Sequence, residues 1–164
     1  MMNREVERRL AEATEMAKQN RHEFVTLEHI LLALTKSPIT VEILEANSVN
    51  VQKLKKDLKL YLKTQGTQIS SEQIETYGGF DSWNPEFTLA CHRLIQRAAL
   101  QIKSAGKTKI SEGSLLVSLF YELPGSLFHK KARPKGYLQE RQKSLKVAFW
   151  SRFFMKKTPR QFIF

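Results

Sequence analysis

Cysteine is almost absent from this sequence. Cys91 stands alone among 164 residues, so no disulfide can form within one chain, which fits a reducing compartment. Long apolar runs are missing as well. No stretch of about 18 apolar residues occurs, and no transmembrane helix is expected. The opening Met1-Met2-Asn3-Arg4-Glu5-Val6-Glu7 is too polar for a secretory signal. Together these absences predict a cytoplasmic protein. Acidic residues are scarce in one region only. Residues 1–123 hold 16 Lys and Arg against 15 Asp and Glu, whereas residues 124–164 hold 11 against one, Glu140. The formal net charge of +11 therefore belongs almost wholly to the C-terminal quarter. Such an asymmetry marks a domain boundary and a candidate polyanion-binding segment.

What is present is helical patterning, in a chain long enough for one domain of ordinary size. The central stretch runs from Arg21 to Leu34: Arg21-His22-Glu23-Phe24-Val25-Thr26-Leu27-Glu28-His29-Ile30-Leu31-Leu32-Ala33-Leu34. Thr26 is a good N-cap, and Glu28 follows in the first turn, where the helix dipole favours negative charge. Ile30, Leu31, Leu32 and Leu34 are apolar nearly all round, which predicts a central helix.

The pattern returns 85 residues later. Ile110-Ser111-Glu112-Gly113-Ser114-Leu115-Leu116-Val117-Ser118-Leu119 aligns with Val25 to Leu34. Upstream, Met2, Val6, Leu10, Ala13 and Ala17 fall on Phe87, Cys91, Ile95, Ala98 and Ile102. Each set is spaced as one helical stripe. An offset kept this long argues for a duplicated helical unit.

The expected elements follow in order. A first helix spans Arg4 to Asn20 and the buried helix Thr26 to Lys36, stopped before Pro38. A short helix over Thr40–Ala46 buries Val41, Ile43 and Leu44. Asn50 caps a fourth helix over Val51–Lys63, with Val51, Leu54, Leu58 and Leu62 inward. These four helices make repeat one, residues 1–63. Residues 64–84 are polar and glycine-containing, and read as a linker. Asn84-Pro85 opens a partial repeat two, residues 85–123, whose long helix ends near Ala105. Gly106 is free to take a left-handed C-cap, and the second buried helix covers Ser111–Tyr121. Leu123-Pro124-Gly125 should break the chain. Beyond it the 85-residue offset places Phe128, His129, Gln139, Lys143 and Val147 where repeat one has core residues. The fold expected is thus all-α, two pseudo-repeats with the second incomplete, and a basic aromatic tail over 124–164 outside the core. So abrupt a change fits a shifted reading frame or a recombined end.

No catalytic constellation emerges. Gly106-Lys107-Thr108 lacks the first glycine of a phosphate loop, since Gln101 stands there, and it follows a helix rather than a strand. No Ser-His-Asp or Cys-His arrangement has supporting spacing, so a non-enzyme without cofactor is expected. His22, Glu23, Glu28 and His29 match no zinc motif, because Thr26 occupies the position HExxH gives to its second histidine. His22 remains a weak surface zinc candidate against the plainer reading of an exposed or packing histidine in the inter-helix link. Cys91 reads as a small buried core residue, and His92 as solvated beside it.

The segment Arg21 to Leu34 closely resembles the Clp repeat of the Hsp100 family, in particular ClpA-type N-terminal domains. The likeness extends from Met1 to about Tyr121. The resemblance implies a docking module of an unfoldase that feeds the ClpP protease. It also implies a ClpS-like adaptor as partner, docked on Glu23 and Glu28, with protein substrates besides. ClpP would be reached only through a full-length unfoldase, whose ATPase modules this sequence does not contain. In related ClpC domains the glutamate before the histidine of each repeat binds arginine-phosphate marks. Glu28 fits that pattern and Gly113 does not, which argues against symmetric reading of such marks. The alternative function is binding of nucleic acid or an anionic membrane surface through the tail, where Trp150 and Phe153 stand among Lys146, Arg152 and Lys156. A tail charge with no target is the favoured reading, because the resemblance stops before it.

Overall fold

The computed structural model describes residues 1–127. Expectations for the tail beyond them lie outside the described residues.

Helix α1, Arg4–Gln19, is capped by Asn3, whose side-chain oxygen accepts from the Val6 N–H at 2.8 Å. It buries Val6, Leu10, Ala13 and Ala17 on one stripe. The chain turns through Arg21, at φ 53°, into strand β1, Phe24–Val25. Helix α2, Leu27–Leu34, follows and is buried on almost every side. Its neighbours α1, α4 and α7 close around it, as its unbroken apolar run requires. Helix α3, Pro38–Ala46, starts on Pro38 itself, with Ser37 extended before it. Proline ends α2 and opens α3 for the same reason: its fixed φ suits the first helical position and its missing N–H costs nothing there. Leu44 is buried, while Val41 and Ile43 are only partly covered. Helix α4, Val51–Gln65, is capped by Asn50, which accepts from the Lys53 N–H at 2.9 Å. Val51, Leu54, Leu58 and Leu62 face inward, as the spacing predicts.

The stretch read as a linker carries structure of its own. Helix α5, Ser71–Thr76, is held by a capping box between Ser70 and Gln73. Ile69, Ile74 and Trp83 form a small satellite core beneath it. Three widely spaced apolar residues in a polar segment gave no periodic signal, which is why the sequence concealed it.

Strand β2, Glu86–Phe87, then pairs in parallel with β1. Helix α6, Leu89–Ser104, begins four residues after Pro85. Its cap is Thr88, not Asn84, because Glu86 and Thr88 donate their N–H groups to Glu23 and Val25 in the ladder. The helix therefore cannot start until the ladder has ended. Its stripe buries Cys91, Leu94, Ala98 and Ile102, with Leu94 more deeply covered than the expected Ile95. Gly106 closes α6 at φ 67°, as expected. Helix α7, Glu112–Leu127, continues through Leu123-Pro124-Gly125, where a break was expected. Proline removes one helical hydrogen bond at a cost of about 3 kcal/mol in an interior. Near the last turn that loss bends or weakens a helix without necessarily ending it.

The duplication is real in three dimensions. Both α1 and α6 have 16 residues, and α2 and α7 begin at Leu27 and Glu112, all at the 85-residue offset. The cross-connections obey it too. Val25 pairs with Phe87, and Met2 pairs in parallel with Ile110. Adding the offset to one pair and subtracting it from the other exchanges them. Each repeat thus lends the segment before its first helix to the segment before the other's second helix. One further link breaks this symmetry. Arg9 of α1 meets Glu112 of α7 at 3.0 Å, both nearly buried. The positions related to them by the offset are Leu94 and Leu27, also buried.

Candidate docking site

A groove of about 390 Å³ opens where the first turns of α2 and α6 approach the C-terminal turn of α4. Phe24, Leu27, Tyr61, Leu89 and Ala90 give it apolar walls, and Thr26, Glu28, Thr88 and Arg93 give it polar ones. Leu89 is 70% exposed and Phe24 38%. A large side chain left open at the start of an amphipathic helix contributes nothing to the core, so its surroundings have contact area to spare. In repeat one the offset position of Leu89 is Arg4, an ordinary solvated residue.

The two glutamates singled out by sequence reach this region differently. Glu28 lines the groove itself from the first turn of α2. Glu23 lies just outside the lining, one residue before Phe24. Its backbone is tied on both sides, donating to the Thr67 carbonyl at 2.9 Å and accepting from the Glu86 N–H at 3.2 Å. On the opposite wall Arg93 reaches Glu122 of α7 at 3.6 Å. Phe24, Leu89, Tyr61 and Arg93 were not singled out by sequence. Only the mismatch between Leu89 and Arg4 at equivalent positions could have drawn attention to one of them.

Behind the groove sit two buried histidines. His22 is 3% and His29 1% exposed, so His22 packs in the interior and offers no surface zinc site. Among the described residues, no group of three or more His, Cys, Asp or Glu is placed to hold a metal. Thr26 donates its N–H to His29 Nδ1 at 3.1 Å, and its hydroxyl lies 3.0 Å from the same nitrogen. His29 Nε2 is 2.9 Å from His22 Nδ1. An acceptor at His29 Nδ1 leaves the proton on Nε2, which then donates to His22. Burial, and secondarily the neighbouring His22, push the His29 pKa down to about 4. Burial lowers that of His22 too. Both rings are therefore neutral near pH 7.

Cys91 fills the core as expected. It is fully buried, its thiol donates to the Val25 carbonyl at 3.2 Å, and burial pushes its pKa up to about 11. It is no nucleophile. His92 is exposed. Gly106-Lys107-Thr108 forms the turn after α6, so no strand precedes it. No helix among the described residues is long and apolar enough to cross a membrane.

A sequence model of the Clp repeat (R) N-terminal domain matches residues 1–129. The chain belongs to the Clp repeat family. The match runs somewhat past Tyr121, in keeping with the continuation of α7. A ClpA homolog protein from Fuscovulum blasticum is 33% identical over 121 residues, covering 71% of this chain. The chain spans 14% of that relative's length. Among solved structures, the N-domain of ClpV from Vibrio cholerae superposes with a TM-score of 0.59 at 19% identity, covering 92% of this chain and 86% of that one. A chain from a malarial protein secretion system superposes with a TM-score of 0.60 at 18% identity, covering 95% and 99%. These two share the fold. A Clp N-terminal domain is itself non-catalytic.

Proposed function

We propose that this Clp repeat domain is a protein-docking module of a ClpA-type unfoldase. Its groove and the adjoining acidic corner receive an adaptor of the ClpS kind and protein substrates. The observation that carries this reading is Glu28 lying in a groove beside the largely exposed Leu89 and the open Phe24. An apolar patch with a charge at its edge is the usual make-up of a protein contact, where the patch supplies affinity and the charge orientation. Similarity to a ClpA homolog supports a ClpS-like partner over others. Delivery to ClpP would then pass through the full unfoldase.

Binding of purified ClpS to the full chain, measured by calorimetry, tests this. Charge reversal of both glutamates, Glu23→Lys with Glu28→Lys, should weaken binding at least tenfold. The circular dichroism spectrum should stay that of the parent. Unaltered affinity in the double variant would remove these residues from the site.

A further inference from the structure

Capping boxes conventionally carry Glu or Gln three residues after the cap, and α5 has that form. Gln73 Oε1 accepts from the Ser70 N–H at 3.1 Å. Helix α2 has His29 in the equivalent place, accepting from the Thr26 N–H. The bond then continues from His29 to His22. His22 in turn lies flush on the end of α4: a Cβ placed on Gly66 would come within 2.2 Å of its Nε2. The cap of α2, the link before β1 and the end of α4 are thereby joined through two rings, and all three line the groove.

We propose that this histidine pair is an acid-sensitive latch, which holds the inner wall of the groove only while both rings are neutral. Its bearing on docking rests on the groove being the docking site. The bonding has one polarity. A proton on His29 Nδ1 would face the Thr26 N–H, with the Thr26 hydroxyl 3.0 Å away as an acceptor, and a proton on His22 Nδ1 would face the His29 N–H. Either event turns a donor–acceptor contact into two opposed donors in a buried place.

The surroundings offer an imidazolium little compensation. Arg21 and Glu23 flank His22 in the chain, Glu28 adjoins His29 on α2, Tyr61 faces the groove from α4 and Arg93 from α6, while the neutral thiol of Cys91 bonds to the Val25 carbonyl. Arg21, Glu23, Glu28, Arg93 and Cys91 are not among the hydrogen-bond partners of either ring. Because folding holds the His29 pKa near 4, below its ordinary 6.5, the opened state binds more protons than the closed one. The stability that the neutral pair lends to closure is therefore fully present above pH 6.5 and is lost progressively as pH falls from there towards 4.

Hydrogen exchange and imidazole ¹⁵N spectra of the full chain, recorded from pH 7.5 to 4.5, test the latch without any partner. Failure of adaptor docking would leave this measurement unaffected, and the converse holds. Above pH 7 both rings should show the Nε2–H tautomer. Between pH 6.5 and 4.5 the protection factor of the Thr26 amide should fall by up to about tenfold per pH unit for one linked proton. The amides of Leu31 and Cys91 should keep theirs. His29→Gln should retain the cap, as Gln73 does in α5, and make the Thr26 amide indifferent to pH. Three results would overturn the proposal: constant Thr26 protection in the parent, an equal pH response in His29→Gln, or loss of Leu31 and Cys91 protection in step with Thr26.

Discussion

Gly66 is the residue whose demands are most easily misjudged. Its φ of −65° suits any amino acid, so conformational freedom is not why glycine stands there. Space is the reason, since a methyl group would fall within 2.2 Å of His22 Nε2 and 2.5 Å of the Leu62 carbonyl oxygen. Gly66→Ala should therefore destabilise by about 1–3 kcal/mol, the usual range for overpacking. Urea denaturation would measure it. Combining it with His22→Ala should return part of that loss, because the ring is one of the two obstacles. A neutral Gly66→Ala would mean that the ring can move aside freely. At this scale sequence reading succeeded with local chemistry. Thr26, Asn50, Gly106 and Glu28 each announce their place through a turn or a cap, and Cys91 through its helical stripe. It missed the contact between His22 and Gly66, which arises across more than forty residues.

Between elements, the most telling contact is Arg9 with Glu112. Glu112 also accepts from the Ser37 hydroxyl at 2.5 Å, while Arg9 holds Glu12 at 2.9 Å. Removing one charge from a buried pair leaves the other uncompensated, at a cost of about 3–5 kcal/mol. Arg9→Leu alone should lose that much in thermal or urea unfolding. The offset positions show how apolar residues can fill such a place, with Leu94 and Leu27 both buried. Arg9→Leu combined with Glu112→Leu should thus regain most of the loss, short of the bond Ser37 forfeits. A double variant no better than the single would show that the two positions are not interchangeable in packing. Helices were legible wherever an apolar stripe ran for three turns, as in α1, α4 and α6. Element ends were less so. The start of α6 was misplaced because a two-residue ladder carries no period, and α5 was missed because its core partners are scattered.

For the whole molecule, the interlocking of repeats predicts one cooperative unit rather than a stable first repeat with a loose second. Cys91 tests this, being the sole cysteine of the chain, fully buried in α6 and bonded to β1 of the other repeat. Its labelling by a thiol reagent should proceed only through global unfolding. The opening free energy from labelling should match that from circular dichroism, with the same urea dependence. Faster labelling, insensitive to urea, would show that the repeats part locally. The duplication itself was legible in the 85-residue offset, but the exchange of strand partners was not, since pairing of such short segments depends on the packing of the helices around them.

That exchange has a consequence for how the protein is born. Met1 and Asn3 exchange backbone hydrogen bonds with Ile110, at 2.9 and 3.0 Å. A chain leaving the ribosome presents Met1 and Asn3 long before Ile110 exists. At synthesis rates of about 5–20 residues per second, the wait is on the order of 5–20 s. During it Met2 lacks Ile110 and α1 lacks its contacts with α7. The segment before α1 is thus made long before its partner and is among the last to find its place, and the nascent chain must keep it available until α7 begins to emerge.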